Sequence, residues 1–333
     1  MITKLTALPL TNAINLSPYL NFADESGFCP NRFLKNFGLN SGHINSETLI
    51  PSYLAYKIIV SISNSTMVDH IGLSITRKGN YSNIHPAIIA NMQKSASLFD
   101  FLLFCSTNAA LNGSHFKVWL NFNNGILNIC HAGSLPYKLR GAEQTEYSRT
   151  LQLVYVVKHF LGDEWKPEQL CLASPLTPPH EIINITTSGK VLNNQSYGVV
   201  PVAIKLDDFA EKISVSRINH TIESEACNRL ITSIQVFIEH DELSLPFISE
   251  IYGCSQRSIQ RILKSQGVNF QAIINKLKIE HAMTLLKQNM DINQVSQILG
   301  YTDPSNFTRA FKKNTTIAPT SFQQLHFPKN GAK

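Results

Sequence analysis

From Leu243 to Phe322 one arrangement of apolar and polar positions occurs twice. The first copy reads Ile248-Ser249-Glu250-Ile251-Tyr252-Gly253-Cys254-Ser255 and continues through Ile259, Arg261 and Leu263. The second reads Val295-Ser296-Gln297-Ile298-Leu299-Gly300-Tyr301-Thr302 and continues through Phe307, Arg309 and Phe311. The offset is 47 residues before the turn and 48 after it, so one residue has been added there. Each copy predicts a two-turn helix with one apolar face, a glycine stop, a polar N-cap and a second helix, which is a helix-turn-helix pattern. Gly253 and Gly300 stand where the first helix must end abruptly, a position that favours positive φ and no Cβ. Ser249 and Ser296 are small where the two short helices cross closest. Ile259, Ile262 and Leu263, and in the second copy Phe307, Ala310 and Phe311, give each second helix an apolar stripe facing a core.

Between the copies, Phe270 to Gln288 places Ile273, Ile274, Leu277, Leu285 and Leu286 at helical spacing, predicting a rod of roughly 30 Å. A helix beginning at Glu223 or Ser224 and running through Leu230, Ile234, Phe237 and Ile238 is expected to pack beneath the first unit. Residues 223–333 thus read as an all-α C-terminal domain with two helix-turn-helix units joined by a long helix.

The first 208 residues follow a different pattern. Residues 1–15 form a poorly patterned lead-in. Helices are expected over Leu20–Ser26 and Arg32–Phe37, stopped by Gly27 and Gly38. Pro51 opens another helix, in which Leu54, Ile58, Ile59 and Ile62 recur. His85-Pro86 marks a turn, and Ile88 to Leu111 is a long helical tract expected to break near Phe99. The period then drops to two: Phe116, Val118, Leu120 and Phe122 alternate, Asn123-Asn124-Gly125 is turn chemistry, and Ile126 to Cys130 returns as the second strand of a β-hairpin. Gln144 to Phe160 is helical through Leu151, Val154 and Val157, and ends at Gly162. Ile182-Ile183-Asn184-Ile185 is strand-like, and Val191 to Ile204 alternates in part. These elements predict an α+β domain over 1–208, helices plus a modest sheet. Lys205 to Glu225 is charged and polar, and 209–222 reads as a linker.

Length and composition agree with two domains: 333 residues, 43% hydrophobic, enough to bury a substantial core. Charge adds an asymmetry. From Ala226 onward there are 12 Lys/Arg against 7 Asp/Glu; residues 1–225 hold 17 against 16, so nearly all of the net +6 sits at the C-terminal end, where phosphate attraction would need it. The six cysteines (29, 105, 130, 171, 227 and 254) are scattered without a Cys-x-x-Cys pair, as expected of reduced thiols in a cytoplasmic protein. No signal-peptide pattern and no run of 18 apolar residues is present.

The candidate chemistry lies on the outward faces of the paired helices. In the first unit these are Gln256, Arg257, Gln260, Arg261 and Lys264; in the second, Ser305, Asn306, Thr308, Arg309, Lys312 and Lys313. Such side chains hydrogen-bond base edges or neutralise phosphates, and no carboxylate falls between Gln256 and Ser265. A generic bundle with two solvated faces is the bland alternative, which the doubled pattern disfavours.

In the N-terminal domain, Phe99, Phe101, Phe104, Trp119 and Phe122 are candidate lining for a small-molecule pocket, and Arg140 is a candidate carboxylate anchor. Plain core and a surface arginine are the alternatives. Catalysis has little support. Cys130 and His131 are adjacent in a strand and point to opposite faces, and His180 stands beside Pro178-Pro179. Metal, dinucleotide and phosphate-loop motifs are absent, so no cofactor is expected. Two competitors are kept. In one the N-terminal domain is a protein-docking module, which an exposed apolar patch without a cavity would favour. In the other it is an enzyme, which a polar, convergent pocket around His131 would favour.

The C-terminal hundred residues resemble the AraC/XylS family of bacterial transcription regulators. The resemblance rests on Ser255-x-Arg257-x-Ile259-x-Arg261 and Gly267, on Ala282 with Leu285-Leu286, and on Leu299-Gly300-Tyr301, Ser305-x-Phe307-x-Arg309-Ala310-Phe311, Pro319 and Phe322. Lys278, Thr316 and Gln323 depart from the usual Arg, Gly and Arg. The resemblance implies a sequence-specific activator-type regulator, with double-stranded promoter DNA and RNA polymerase as partners. A rod near the 34 Å pitch of one DNA turn would carry two recognition helices into successive major grooves. Residues 18–208 are similar, more diffusely, to the sensor domain of the ornithine-utilisation regulators. The likeness lies in Gly38-Leu39, Pro51, the Phe116–Cys130 hairpin, Gln144 and Glu146, Gly162 and Trp165-Lys166-Pro167. It implies a domain that senses a small-molecule effector or partner and also forms a homodimer.

Overall fold

The computed structural model describes residues 8–76, 86–108, 116–123, 126–203, 230–240, 243–265 and 267–327. The chain divides into two compact units, Pro9–His220 and Thr221–Lys333 together with Met1–Leu8. The linker expected at 209–222 lies outside the described residues, as do Ala109 to Leu111 and the two turn residues at 124–125.

The N-terminal unit begins with structure where the sequence showed no pattern. β1 (Leu10–Asn12) pairs antiparallel with β2 (Leu49–Pro51), and a 3-10 turn (Ala13–Leu16) follows. Leu10, Ala13 and Leu16 are buried. Three-residue strands are too short to show a period, so only the pairing reveals them. α1 (Ser17–Glu25) and α2 (Pro30–Lys35) each carry proline in the first turn, where a missing N–H costs nothing. Pro51 ends β2 and caps α3 (Ser52–Thr66), which buries Leu54, Ile58, Ile59 and Ile62. α4 (Ile71–Ser74) follows.

The long helical tract is two helices, α5 (Pro86–Lys94) and α6 (Leu98–Thr107). Its break falls at residues 95–97, two residues before Phe99, which is the second residue of α6 and buried. The reason is a cap: Ser97 Oγ accepts the Asp100 N–H at 3.2 Å and donates to Asp100 Oδ2 at 2.7 Å.

β3 (Phe116–Asn123) and β4 (Ile126–Gly133) form the hairpin, in a register that sets Val118 opposite His131 and Trp119 opposite Cys130. α7 (Ala142–Leu161) follows, then β5 (Gln169–Cys171), α8 (His180–Ile183), β6 (Lys190–Leu192) and β7 (Gly198–Ala203). The five-stranded sheet runs β3-β4-β7-β5-β6, antiparallel except for the β5-β6 pair. The strand expected at Ile182 to Ile185 is instead the short helix α8. Pro179 stands at its N-cap, and within its span Ile182 is the residue buried. The core gathers Phe101 and Leu102 of α6, Leu127 and Ile129 of β4, Leu151, Val154 and Val157 of α7, and Val200 and Val202 of β7.

The C-terminal unit is helical. α9 (230–235) buries Leu230 and Ile234, and Phe237 and Ile238 of the following turn are buried too. α10 (Leu245–Tyr252) and α11 (Gln256–Lys264) form the first pair, α11 being capped by Ser255. Ser233 and Tyr252 share a hydroxyl hydrogen bond, and Phe237 meets Phe247 edge-on at 5.7 Å, so the α9 segment packs against the first pair. α12 (Phe270–Lys287) has 18 residues, or about 27 Å. α13 (Ile292–Ile298) and α14 (Pro304–Thr315) form the second pair, and α15 (Pro319–His326) closes it. Gly253 and Gly300 have φ of 61° and 67°, the left-handed stops their positions called for. Among the described residues no helix is long and apolar enough to cross a membrane.

One helix stop carries a strain. Thr316 ends α14 at φ 69°, its N–H bonded to Lys312 O at 2.9 Å. A β-branched residue in that region is held against its own side-chain sterics. Thr316→Gly is expected to raise the stability of the C-terminal unit by about 1 kcal/mol in chemical denaturation; an unchanged or lower midpoint would show that the turn is relaxed.

Candidate nucleic-acid interface

The outward faces of α11 and α14 are exposed because their inward faces are fully committed. Ile259 and Leu263 anchor α11 at 0% exposure, and Phe307 and Phe311 anchor α14 likewise. With those positions fixed, the helical period turns Gln256, Arg257, Gln260, Arg261 and Lys264 to solvent. On α14, Ser305, Asn306, Arg309, Lys312 and Lys313 are exposed, and Thr308 is half-buried. Arg309 is held along its own helix: Nη2 donates to Asn306 Oδ1 at 2.8 Å and Nε to Ser305 O at 3.4 Å. Asp303, the carboxylate beside this face, accepts the Ser305 N–H at 2.7 Å. That N–H, then the Ser305 hydroxyl and the Arg309 cation, hold its carboxyl below the ordinary range.

The second pair has a continuous aromatic core. Tyr301, Phe307, Phe311 and Phe322 meet in sequence, the first pair tilted and the next two edge-on, at centroid distances of 5.5, 5.7 and 5.6 Å. Two of the residues that depart from the family pattern find definite work here. Lys278, on α12, donates from Nζ to Leu299 O at 2.5 Å and lies 5.3 Å from the Tyr301 ring centre, pinning the spacer helix to the end of α13. Gln323 donates to Met290 O at 2.9 Å, tying α15 to the loop after α12. His281 on α12 contacts Glu239 at 2.7 Å, which holds the spacer to the turn after α9.

The residues proposed as effector lining do not converge. Phe104 and Phe122 pack against the main core. Trp119 alternates to the other face of β3 and meets Tyr197 edge-on at 5.0 Å. Arg140 is exposed, 2.6 Å from Asn64 Oδ1. A cavity of about 140 Å³ does exist in this unit, between α1, α3, α5, α6, α7 and the β3-β4 hairpin. Phe101 lines it, as the sequence reading allowed, and so does His131, but the charged side chain that enters it is Arg149. Its trace in the sequence is a second stripe on α7: Thr145, Ser148, Arg149, Gln152 and Val156 recur at helical spacing beside the all-apolar one.

His131 is fully buried, and burial, with the Arg149 cation second, pushes its ring down to about 3, so it stays neutral. Its Nε2 lies 3.2 Å from Thr150 Oγ1. Cys130 faces the other side of the sheet, and burial pushes the Cys105 thiol up to about 12. Among the described residues no carboxylate lines the cavity, and no group of His, Cys, Asp and Glu could hold a metal ion.

Comparison with known proteins gives the class first. Residues 248–325, both helix pairs and the spacer, match the family described as a helix-turn-helix domain. Among curated proteins it is similar to the HTH-type transcriptional regulator RipA of Corynebacterium glutamicum, 33% identical over 95 residues. That match covers 28% of this chain and 29% of RipA. It is also similar to the DNA-binding dual transcriptional regulator Rns of Escherichia coli, 31% identical over 80 residues, 24% of this chain and 30% of Rns. The chain therefore spans under a third of the length of either relative. Among solved structures, the C-terminal domain of AraT, a response regulator from Geobacillus stearothermophilus, aligns at a TM-score of 0.29 and 23% identity, covering 32% of this chain and 89% of that one.

Proposed function

We propose that this chain is a sequence-specific transcription regulator: two helix-turn-helix units read promoter DNA in successive major grooves, and the N-terminal unit senses a small molecule. The observation that carries the reading is the pair of exposed cationic and amide faces on α11 and α14, each on a helix anchored by a fully buried opposite face and linked by an 18-residue spacer. Arg257, Gln260 and Arg261 read base edges in one half-site, with Lys264 on phosphate. Ser305, Asn306, Thr308 and Arg309 take the second half-site, with Lys312 and Lys313 on phosphate. RNA polymerase is the partner such a regulator acts upon, and a homodimer through the N-terminal unit is part of the same reading. The mostly apolar, partly open cavity supports small-molecule sensing over protein docking.

Selection of duplexes from a random pool by the full chain tests the reading. The expected product is a bipartite site with half-sites about one helical turn apart. Arg257→Ala should then lose about 1–3 kcal/mol at one base position and relax preference there. Lys264→Ala should weaken all sequences alike and lower the salt slope by about one. Recovery of unrelated duplexes, or an Arg257→Ala variant with unchanged preference, overturns the assignment.

A further inference from the structure

We infer that the N-terminal cavity is a binding site for a small neutral alcohol or phenol, its hydroxyl taken by the buried polar atoms of Ser52 and His131. The inference deepens the sensing part of the reading above and rests on it only for the consequence at DNA. Both side chains line the cavity and are withdrawn from water, Ser52 at 1% and His131 at 0% exposure. Ser52 Oγ and His131 Nδ1 each lack a hydrogen-bond partner. Ser52 stands in the first turn of α3, but no side-chain bond caps that helix, so its hydroxyl is not spent there. Buried polar atoms are costly when their bonds are not made, and a ligand that supplies those bonds is favoured in the same space.

The wall selects the chemistry of the ligand. His131 Nε2 lies 3.2 Å from Thr150 Oγ1. When Nε2 accepts there, Nδ1 carries the ring proton and donates; when Nε2 donates, Nδ1 accepts. A hydroxyl meets either state of the neutral ring, and it meets the Ser52 hydroxyl equally well. The ring is held over β7 at a point where only glycine leaves room, since a Cβ on Gly198 would collide with its Cε1 and Nε2. Other polar side chains of the wall are spent on one another. Asn15 donates to Thr11 Oγ1 at 2.7 Å, Gln152 donates to Ser148 Oγ at 3.4 Å, and Thr145 Oγ1 lies 3.3 Å from the Tyr56 hydroxyl. Arg149 lines the cavity too, but it is not a spare charge, because Glu146 acts on it electrostatically. With no carboxylate among the described lining residues either, the site asks for no ionic group. Much of the remaining wall is hydrocarbon, from Ile59, Ile88, Leu102, Leu153 and Val156. A volume of about 140 Å³ is close to that of cavities that hold benzene, which limits the ligand to about six to nine heavy atoms.

Calorimetric titration of the full chain with phenol and with benzyl alcohol tests this, each beside the isostere that lacks the hydroxyl, toluene and ethylbenzene. At least one hydroxylated probe should bind saturably, about 3- to 10-fold more tightly than its isostere, the range for a neutral hydrogen bond. Benzoate should bind no better than phenol. Ser52→Ala or His131→Phe should remove that advantage and leave the isostere's affinity unchanged. The comparison of probes needs no variant, so a misfolded His131→Phe does not blunt the test. Failure of both hydroxylated probes to bind, isosteres that bind as well, tighter binding of benzoate, or an advantage intact in both variants overturns the site. The effect of the bound probe on duplex affinity is a separate readout: binding without it supports the site and removes only the sensing role.

Discussion

Phe307→Ala is expected to cost the second helix pair about 3–5 kcal/mol, the usual loss for emptying an aromatic core position. Phe307 is fully buried, with the Tyr301 and Phe311 rings 5.5 and 5.7 Å away and the spacer helix behind them through Ile279, Ala282, Leu285 and Leu286. Chemical denaturation followed in the C-terminal unit reads the loss directly. Arg309→Ala gives the contrast. Its guanidinium is exposed and hydrogen-bonds to Ser305 and Asn306 of its own helix, so stability should stay within about 0.5 kcal/mol while duplex binding should fall. Both variants lose DNA, but for different reasons, and only Phe307→Ala should melt early. A Phe307→Ala variant as stable as the parent chain would show that the aromatic cluster does not hold α14 in place.

Acid is expected to destabilise the N-terminal unit through His131. The unfolded chain takes up this proton near the ordinary value of 6.5, whereas the folded ring resists it down to about 3. Between those limits the unfolded state binds more protons, so stability falls as pH falls, at up to about 1.4 kcal/mol per pH unit. By pH ~4.5 the loss is about 3 kcal/mol. Glu146 works the other way. Burial raises its carboxyl, against the two backbone N–H groups and Arg149, so its protonation favours the fold as pH drops. The comparison that isolates His131 is therefore His131→Gln, which should flatten the pH dependence of the N-terminal unfolding transition between about 6.5 and 3 and leave the Glu146 contribution in place. An identical slope in the variant would mean that the ring reaches water in the folded protein.

Legibility in the sequence followed the length over which a pattern persists. α7 was readable because twenty residues repeat one period, and the β3-β4 hairpin because eight-residue strands alternate around a turn. α11 and α14 were readable for a further reason: the same stripe occurs twice, so each copy checks the other. What failed was short. β1, β2 and α8 have three or four residues each, and Ile182 to Ile185 carries β-branched side chains that promise a strand. There the prolines before it and the burial of Ile182 decided the outcome. The break in the α5-α6 tract was read to within two residues, and the Ser97 cap sets it just ahead of Phe99.

The amino-acid order by itself determined the doubled helix pair, the outward placement of its arginines, lysines and amides, and the spacer between them. Each of those follows from which side chains leave water, and that is settled by spacing along a single helix. Only the tertiary structure decided the cavity. Arg149, Tyr19, Ser52 and His131 come from four separate elements, and no local period links residues that are brought together by packing helices across a sheet. Arg140 and Arg149 look alike in sequence; one stands in solvent beside Asn64 and the other enters the interior. The difference is which face of the chain the core required at each point.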